Sequence, residues 1–284
     1  MNDLFVKIAS LDINERYLLR LGYGEKDLEV TQDYSKNGRV NYMLARRMNL
    51  LDQVNKLAKS IEILSHEEYT CESALNFYEI HIRTRINEYT KNLENFKKSG
   101  LIFDIETVFP FTNFFKINHF NNSVLFEKTS TVEDYNKSLL LIKFIENIFS
   151  EIHDCYAFEL LRNSHERGNY LLTKQAKVIA MTSTYAALKR RDFISLGLEY
   201  DNVLIEESAQ LLDIETFIPL VLQKTDKEIS RLKRVIMIGD HYQLPPIIKN
   251  SALKSFCNMD QSMFNRLIRL EIPKISLNWQ GRMR

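Results

Sequence analysis

Apolar residues recur at helical spacing through the first half of the chain. Between residues 72 and 98 they follow steps of three and four: Leu75, Tyr78, Ile82, Ile86, Tyr89, Leu93 and Phe96. A similar stripe covers residues 40–64, and a third runs from Tyr135 to Leu160. This spacing places apolar side chains on one face of an amphipathic helix. The pattern therefore predicts three long helices, and little strand, between residues 40 and 165.

Capping and breaking residues mark the ends of these helices. Ser130 and Glu133 have the spacing of a capping box, so the third helix should begin there. Gly100 should end the second helix, because glycine is a poor helix former. Residues 101–128 are rich in phenylalanine, and we expect an irregular but packed connection there.

Short apolar stretches typical of strands lie on both sides of this helical part. Near the N-terminus, Leu4–Leu11 has helical spacing and Leu18–Gly22 predicts a short strand. Further strands are predicted after Lys177, at Val178–Thr182, Val203–Ile205, Val235–Ile238 and Lys274–Leu277. Helical stretches separate these strands, which is the order found in parallel α/β sheets with crossover connections.

The helices between these strands have recognisable starts. Ser183 and Thr184 are expected to cap one helix, Asp213 to cap the next, and a third helix is expected over Gln261–Leu270. The pattern as a whole divides the chain into an α/β domain, formed by residues 1–39 and 166–284, and a helical insertion at 40–165.

Composition and charge narrow the class of protein. The chain has 284 residues, of which 45% are hydrophobic and 26% are charged, as in soluble globular proteins. The net charge of +1 means that any nucleic-acid site must be local. Cys71, Cys155 and Cys257 lie far apart, so no disulfides are predicted. The apolar runs are too short to cross a bilayer, and no membrane association is predicted.

Two neighbouring acids follow the strand that ends at Ile205. Glu206 and Glu207 could divide two tasks that hydrolysis of a nucleoside triphosphate requires, which are holding Mg²⁺ and orienting the attacking water. Mg²⁺ keeps several waters and needs only one or two carboxylates. The same pair is also what a solvated strand end with two surface acids would carry.

Two more strand ends carry polar groups suited to a phosphate. Gln243 lies three residues beyond Asp240, and its amide could donate to a γ-phosphate oxygen, while Pro245 and Pro246 stiffen the loop. Arg282, in the last stretch of the chain, offers a permanent, fork-shaped donor for a phosphoryl group. Surface loops are the alternative in both places. The order and spacing of the three motifs favour a nucleotide site.

These motifs resemble those of superfamily 1 helicases of the Upf1-like group. Residues 206–210 resemble motif II, usually Asp-Glu-Ala-x-Gln; residues 239–246 resemble motif III; and residues 280–284 resemble the start of motif IV, usually Gln-Tyr-Arg-Met-His. Glu206, Gly281 and Arg284 depart from the general pattern. Together with other stretches they look like one branch, the intron-binding helicases of the spliceosome. The resemblance spans most of the chain and is weakest over residues 62–130.

The resemblance implies a role for each matching residue. Glu206 would lie near Mg²⁺ and Glu207 would polarise water. Gln243 would contact the γ-phosphate, with Asp240 supporting its loop. The remaining expected contacts are those of Gln280 and Arg282 with the nucleotide, and those of Thr182 and Thr184 with the RNA backbone. For the two threonines, helix capping by Thr184 is an equal alternative.

The resemblance also implies a fold, cofactors and partners. The α/β part would be the first RecA-like domain and the helical insertion would be its thumb. The cofactors would be ATP and Mg²⁺, the partners a pre-mRNA intron and spliceosomal proteins, and the location the nucleus. The P-loop of such helicases, Gly-x-x-x-x-Gly-Lys-Ser/Thr, is absent from this sequence. We therefore expect an internal fragment, with the P-loop unit upstream, that does not hydrolyse ATP alone.

Two other functions remain open at this point. The chain could be a catalytically inactive scaffold or interaction module of the spliceosome, with its helices docked on other splicing proteins. It could also belong to an Upf1-like helicase that acts outside splicing. The Gln-Gly-Arg-x-Arg form of residues 280–284 favours the splicing branch over this last alternative.

Overall fold

The structure is a computed structural model that divides into two compact units. It describes residues 2–11, 13–22, 33–63, 68–99, 105–118, 125–126, 131–223 and 231–279. Residues 1–39 and 169–284 form one unit, here called the α/β unit, and residues 40–168 form the other, here called the helical unit.

Helices dominate the described residues. They are α1 (Asn2–Ala9), α2 (Lys36–Ser60), α3 (Cys71–Phe77), α4 (Arg83–Ser99), α5 (Ile105–Val108), α6 (Thr112–Asn118), α7 (Thr131–Leu160), α8 (Ser164–Tyr170), α9 (Ser183–Leu188), α10 (Arg190–Leu196), α11 (Asp213–Phe217), α12 (Ser251–Cys257) and α13 (Met263–Arg269). The strands are β1 (Leu18–Arg20), β2 (Val178–Ala180), β3 (Asn202–Ile205) and β4 (Arg234–Met237).

The three long helices predicted from apolar spacing are confirmed. The first is α2, the third is α7, and the second consists of α3 and α4 joined by a wider π-helical turn at Tyr78–Ile82. The hydroxyl of Thr70 accepts a hydrogen bond from the Ser73 amide and so caps α3. Ser130 and Gly100, which were expected to mark helix ends, lie outside the described residues.

The phenylalanine-rich connection is packed, as predicted, but it is not wholly irregular. It contains α5 and α6, separated by a turn at Pro110, and proline cannot continue a helix without loss of a hydrogen bond. The ring of Phe109 meets those of Tyr89 and Phe126 edge to face, at centroid distances of 5.5 and 5.7 Å. Aromatic rings in this geometry add to the stabilisation that burial alone provides.

A partly buried carboxylate joins three elements of the helical unit. Glu159 on α7 accepts hydrogen bonds from the Cys71 amide at 3.0 Å and from Nε of Arg47 at 2.7 Å. Burial acts to raise the pKa of Glu159, but these hydrogen bonds outweigh it and hold the pKa below its ordinary value. Burial also raises the pKa of the Cys71 thiol, to about 11, and the neighbouring Glu159 adds to this effect.

The strands of the α/β unit pair in parallel, as the alternation of strands and helices predicted. β1 pairs with β2, and β3 pairs with β4, so the described strands form two separate two-stranded sheets and not the single sheet that was expected. Phe5 of α1 packs with Leu18 of β1 and Tyr34 in a small apolar core beside the first sheet. Gly22 follows β1 with φ +92, a conformation that glycine adopts without strain.

The prediction of a strand at Lys274–Leu277 is wrong. These residues form no strand with the described part of the chain, and Ile275 and Leu277 are 92% and 88% exposed. Alternating apolar residues form a stable strand only where a neighbouring strand completes their backbone hydrogen bonds.

Two predicted helix starts also need correction. Helix α9 is capped by Thr182, whose hydroxyl accepts a hydrogen bond from the Tyr185 amide at 3.1 Å, and not by Ser183 or Thr184. Asp213 is the first residue of α11 and does not cap it. Instead, the Glu215 carboxylate accepts a hydrogen bond from the Leu212 amide at 3.2 Å.

Two further observations concern membrane-spanning helices and cysteines. None of the helices in its described part is both long and apolar enough to cross a membrane. The three cysteines are free thiols, of which Cys71 and Cys155 are buried and Cys257 is exposed.

Candidate functional site

The parallel pairing of β3 and β4 brings two polar loops to the same edge of a sheet. Ile205 at the end of β3 is in register with Met237 at the end of β4. The ladder continues past the strands, because the Ile238 amide donates to the Ile205 carbonyl at 2.9 Å. The acids predicted to act in hydrolysis follow β3, and the predicted phosphate-contacting loop follows β4. Parallel sheets commonly bind ligands at this edge.

Glu207 adopts an unusual backbone conformation. Its φ of 52 and ψ of 37 lie in the left-handed region, which is costly for a residue other than glycine. This conformation turns the chain directly into a short 3-10 helix at Ser208–Gln210. The exposed Glu207 carboxylate accepts a hydrogen bond from Nε2 of Gln210 at 3.2 Å. Backbone strain of this kind often occurs at functional sites.

The loop after β4 is organised by Asp240. Its carboxylate accepts hydrogen bonds from the Tyr242 amide at 2.9 Å and from Nε2 of Gln243 at 3.1 Å. The bond from Tyr242, followed by that from Gln243, lowers the pKa of Asp240. Asp240, which is predicted to support this loop, and Gln243, which is predicted to contact the γ-phosphate, are therefore in direct contact with each other.

Two residues that the sequence analysis did not single out hold these loops together. Ser208 is fully buried, and both its amide and its hydroxyl donate to the Ile238 carbonyl, at 2.9 and 3.0 Å. Gly239 packs so closely that an added Cβ would lie 3.0 Å from the Ala209 amide nitrogen. The small residues at these positions are the signal in the sequence that could have indicated the contact.

The remaining predicted site residues lie elsewhere. Thr182 and Thr184 follow β2, which belongs to the other sheet, and both are exposed. The Thr182 hydroxyl accepts the capping hydrogen bond of α9. Gln280 and Arg282 lie outside the described residues, so their predicted contacts with the nucleotide stay predictions.

The donor atoms near Glu206 suit a hard cation. Carboxylate oxygens are ligands that Mg²⁺ prefers, and one or two of them suffice because the ion keeps its waters. Glu206 and Glu207 supply such oxygens at a strand end, so the residues present fit Mg²⁺. Within the described residues there is no group of three or more acids, histidines or cysteines that would hold a metal by protein ligands alone.

Comparisons with known proteins place the chain among helicase relatives. A family model described as AAA domain matches residues 12–251. The chain is 46% identical over 292 residues to RNA helicase aquarius of Mus musculus, a match that covers 100% of this chain and 19% of that protein. It is 24% identical over 291 residues to pre-mRNA-splicing factor cwf11 of Schizosaccharomyces pombe, covering 100% of this chain and 21% of that protein.

A shorter match falls on an Upf1-like helicase. ATP-dependent helicase upf1 of Schizosaccharomyces pombe is 36% identical over 112 residues, which cover 39% of this chain and 11% of that protein. The resemblance to Upf1-like helicases that the motifs indicated is thus confirmed. The chain spans only about a fifth of the two relatives that match it throughout, 19% and 21% of their lengths. Because the family model matches most of its length, the chain belongs to the AAA domain family.

Proposed function

We propose that the chain is part of an ATP-dependent RNA helicase of pre-mRNA splicing. The observation that carries this proposal is the joining of the two loops after β3 and β4, of which one carries an acid pair and the other an Asp-held glutamine. The similarity to RNA helicase aquarius over the whole chain, and to pre-mRNA-splicing factor cwf11, supports the same function. A pre-mRNA intron and spliceosomal proteins would then be its partners, in the nucleus.

In this proposal residues 1–39 and 166–284 are part of the first RecA-like domain. The helical insertion at 40–165 is the thumb of that domain. The parallel pairing of β3 with β4 supports this assignment, because RecA-like domains place their nucleotide at the carboxyl ends of parallel strands. The predominance of long helices between Lys36 and Leu160 supports a helical insertion.

The residues of the two loops would divide the work of ATP hydrolysis. Bound Mg²⁺ would neutralise charge on the phosphates. Glu206 would hold the ion, directly or through water, and Glu207 would accept the proton of the attacking water. Gln243, kept in place by Asp240, would donate its amide to the γ-phosphate. Gln280 and Arg282 would contact the nucleotide, with Arg282 stabilising the charge of the transferring group.

RNA would be bound near the end of β2. Exposed hydroxyls after a strand can donate to phosphate oxygens without reading the base sequence, so Thr182 and Thr184 would contact the RNA backbone. Because Thr182 already accepts the capping bond of α9, its hydroxyl hydrogen stays available for such a contact. Capping and RNA binding are therefore compatible at this residue.

The test is the Glu207→Gln variant of the full-length helicase. The amide keeps the size of the side chain but cannot accept a proton, so we expect RNA-stimulated ATP hydrolysis to fall by about 10²-fold or more. Binding of a fluorescent ATP analogue should stay within about twofold of the wild type, because the carboxylate acts on water. Retained turnover would refute the role of Glu207, and a wild-type protein that neither binds nor hydrolyses ATP would refute the proposed function.

A further inference from the structure

The turn after β3 and the loop after β4 meet at one carbonyl group. Ser208 is 0% exposed, and its amide and hydroxyl both donate to the carbonyl of Ile238. A buried hydroxyl is unfavourable unless it is hydrogen-bonded, so the Ser208 side chain is fixed in this orientation. The two loops are thus linked by a side chain as well as by the backbone ladder.

Gly239 leaves no free space on the other side of this contact. A Cβ at this position would lie 3.0 Å from the Ala209 amide nitrogen and 3.1 Å from Oγ of Ser208. The first distance involves backbone, which cannot rotate away as the end of a flexible side chain can. Any residue larger than glycine would therefore push the turn away from the loop by a few tenths of an ångström.

The contact lies one residue from Glu207 on one side and one residue from Asp240, which holds Gln243, on the other. Glu207 directly precedes Ser208, and its left-handed backbone begins the turn. Asp240 directly follows Gly239, and its carboxylate holds Gln243. A displacement at Ser208 or Gly239 would move both functional groups relative to each other. Misplacement of reacting groups by about 1 Å can lower a rate by about 10²-fold.

We propose that Ser208 and Gly239 form a clamp that holds the Glu207 carboxylate and the Gln243 amide in register for ATP hydrolysis. Both are positioning residues, since neither is expected to touch the nucleotide. The clamp keeps the water-activating group and the phosphate-contacting group at a fixed separation whether or not ATP is bound. This inference rests on the proposed function.

The test compares clamp variants with matched controls in the full-length helicase. Ser208→Ala removes the buried hydroxyl, and Ser138→Ala removes another fully buried hydroxyl, which lies in the helical unit and donates to the Tyr135 carbonyl at 2.8 Å. Gly239→Ala introduces the close contact, whereas Gly197→Ala adds a Cβ with nothing within 4 Å, although its φ of +70 makes that change strained. Each pair therefore separates an effect on the site from an effect on stability.

We expect the two clamp variants to lower kcat of RNA-stimulated ATP hydrolysis by about 3- to 10-fold, with KM for ATP changed less than about twofold. The two controls should keep kcat within about twofold of the wild type, even where they unfold at lower urea concentrations. Ser208→Cys keeps a small side chain with a weak donor, and it should restore part of the kcat lost in Ser208→Ala.

Two outcomes would overturn the clamp while leaving the proposed function intact. One is a wild-type enzyme that hydrolyses ATP together with clamp variants whose kcat equals its own. The other is a loss of kcat in Ser138→Ala or Gly197→Ala as large as in the clamp variants. If Ser208→Ala does not fold, the comparison of Gly239→Ala with Gly197→Ala decides. A wild type without RNA-stimulated hydrolysis would overturn both the function and the clamp.

Discussion

The left-handed backbone of Glu207 leads to a prediction about stability and activity together. A residue with a Cβ pays roughly 1–2 kcal/mol to adopt this region, and glycine does not. Glu207 has φ 52, and Glu271 in the same unit has φ 57. Both are exposed glutamates, but only Glu207 lies in the candidate site. Replacing each by glycine therefore removes the same strain at two positions with different expected functions.

The size of the effect follows from two opposing terms. Relief of the left-handed strain should contribute roughly 1–2 kcal/mol. The greater freedom of glycine in the unfolded chain should cost roughly 0.5–1 kcal/mol. The Glu207→Gly change also loses the exposed hydrogen bond from Gln210, which contributes little because water competes for both groups. We expect each variant to raise the free energy of unfolding by up to about 1.5 kcal/mol.

Equilibrium unfolding in urea, followed by circular dichroism, measures this change in the chain. Glu207→Ala serves as a further control, since alanine loses the carboxylate but keeps the strained backbone, and it should give no gain in stability. ATP hydrolysis by the full-length helicase completes the comparison. Glu207→Gly should abolish hydrolysis, whereas Glu271→Gly should leave it within about twofold of the wild type.

A particular set of results would refute this reasoning. If Glu207→Gly lowers the free energy of unfolding while Glu271→Gly raises it, Glu207 stabilises the fold and its strain has no functional origin. If both glycine variants gain stability and both keep ATP hydrolysis, the backbone of Glu207 is strained but its carboxylate has no catalytic role.

Other predictions concern the helical unit. Glu159→Gln should lower the free energy of unfolding of this unit by roughly 1–2 kcal/mol, because glutamine keeps an acceptor oxygen but loses the negative charge that strengthens the hydrogen bonds from Arg47 and Cys71. Asp52→Asn, which breaks an exposed pair with Lys56, should cost less than about 0.5 kcal/mol in the same urea assay. Because folding lowers the pKa of Glu159, its ionised carboxylate contributes to the free energy of unfolding at pH values above the ordinary glutamate pKa. This contribution should be lost as the pH falls through the lower pKa of the folded state. An acid titration in which Glu159→Gln loses as much stability as the wild type would contradict this expectation. At pH 8, a thiol reagent should modify exposed Cys257 rapidly. It should leave Cys71, whose pKa is raised to about 11, unmodified until the helical unit unfolds. Mass spectrometry of the labelled chain measures the order of modification, and labelling of Cys71 before Cys257 would contradict the prediction.

The sequence predicted the long helices and the paired strands well, for a physical reason. Apolar periodicity reports which face of an element is buried, and this property is local to each element. The stripes of α2, α3 with α4, and α7 were visible for that reason, as were the apolar stretches of β3 and β4. The positions of the acids and of Gln243 at strand ends followed from the same local information.

Features that depend on a partner or on backbone geometry were not predictable in the same way. The Lys274–Leu277 stretch has strand-like alternation, but the described part of the chain offers it no strand to pair with. Residues 182–184 contain three hydroxyls, and only the backbone conformation shows that Thr182 is the one that caps α9. The contact of Ser208 with Ile238 joins residues thirty apart, so the small residues Ser208 and Gly239 gave only an indirect sign of it in the sequence.

The central claim is that the loops after β3 and β4 together form the site of ATP hydrolysis. Its most direct test is an experimental structure of the full-length helicase with Mg²⁺, ADP–aluminium fluoride and single-stranded RNA. We predict that Glu206 will ligate Mg²⁺ directly or through water, and that Glu207 and Gln243 will face the fluoride group. A nucleotide bound away from both loops, with Glu207 and Gln243 exposed to solvent, would contradict the claim.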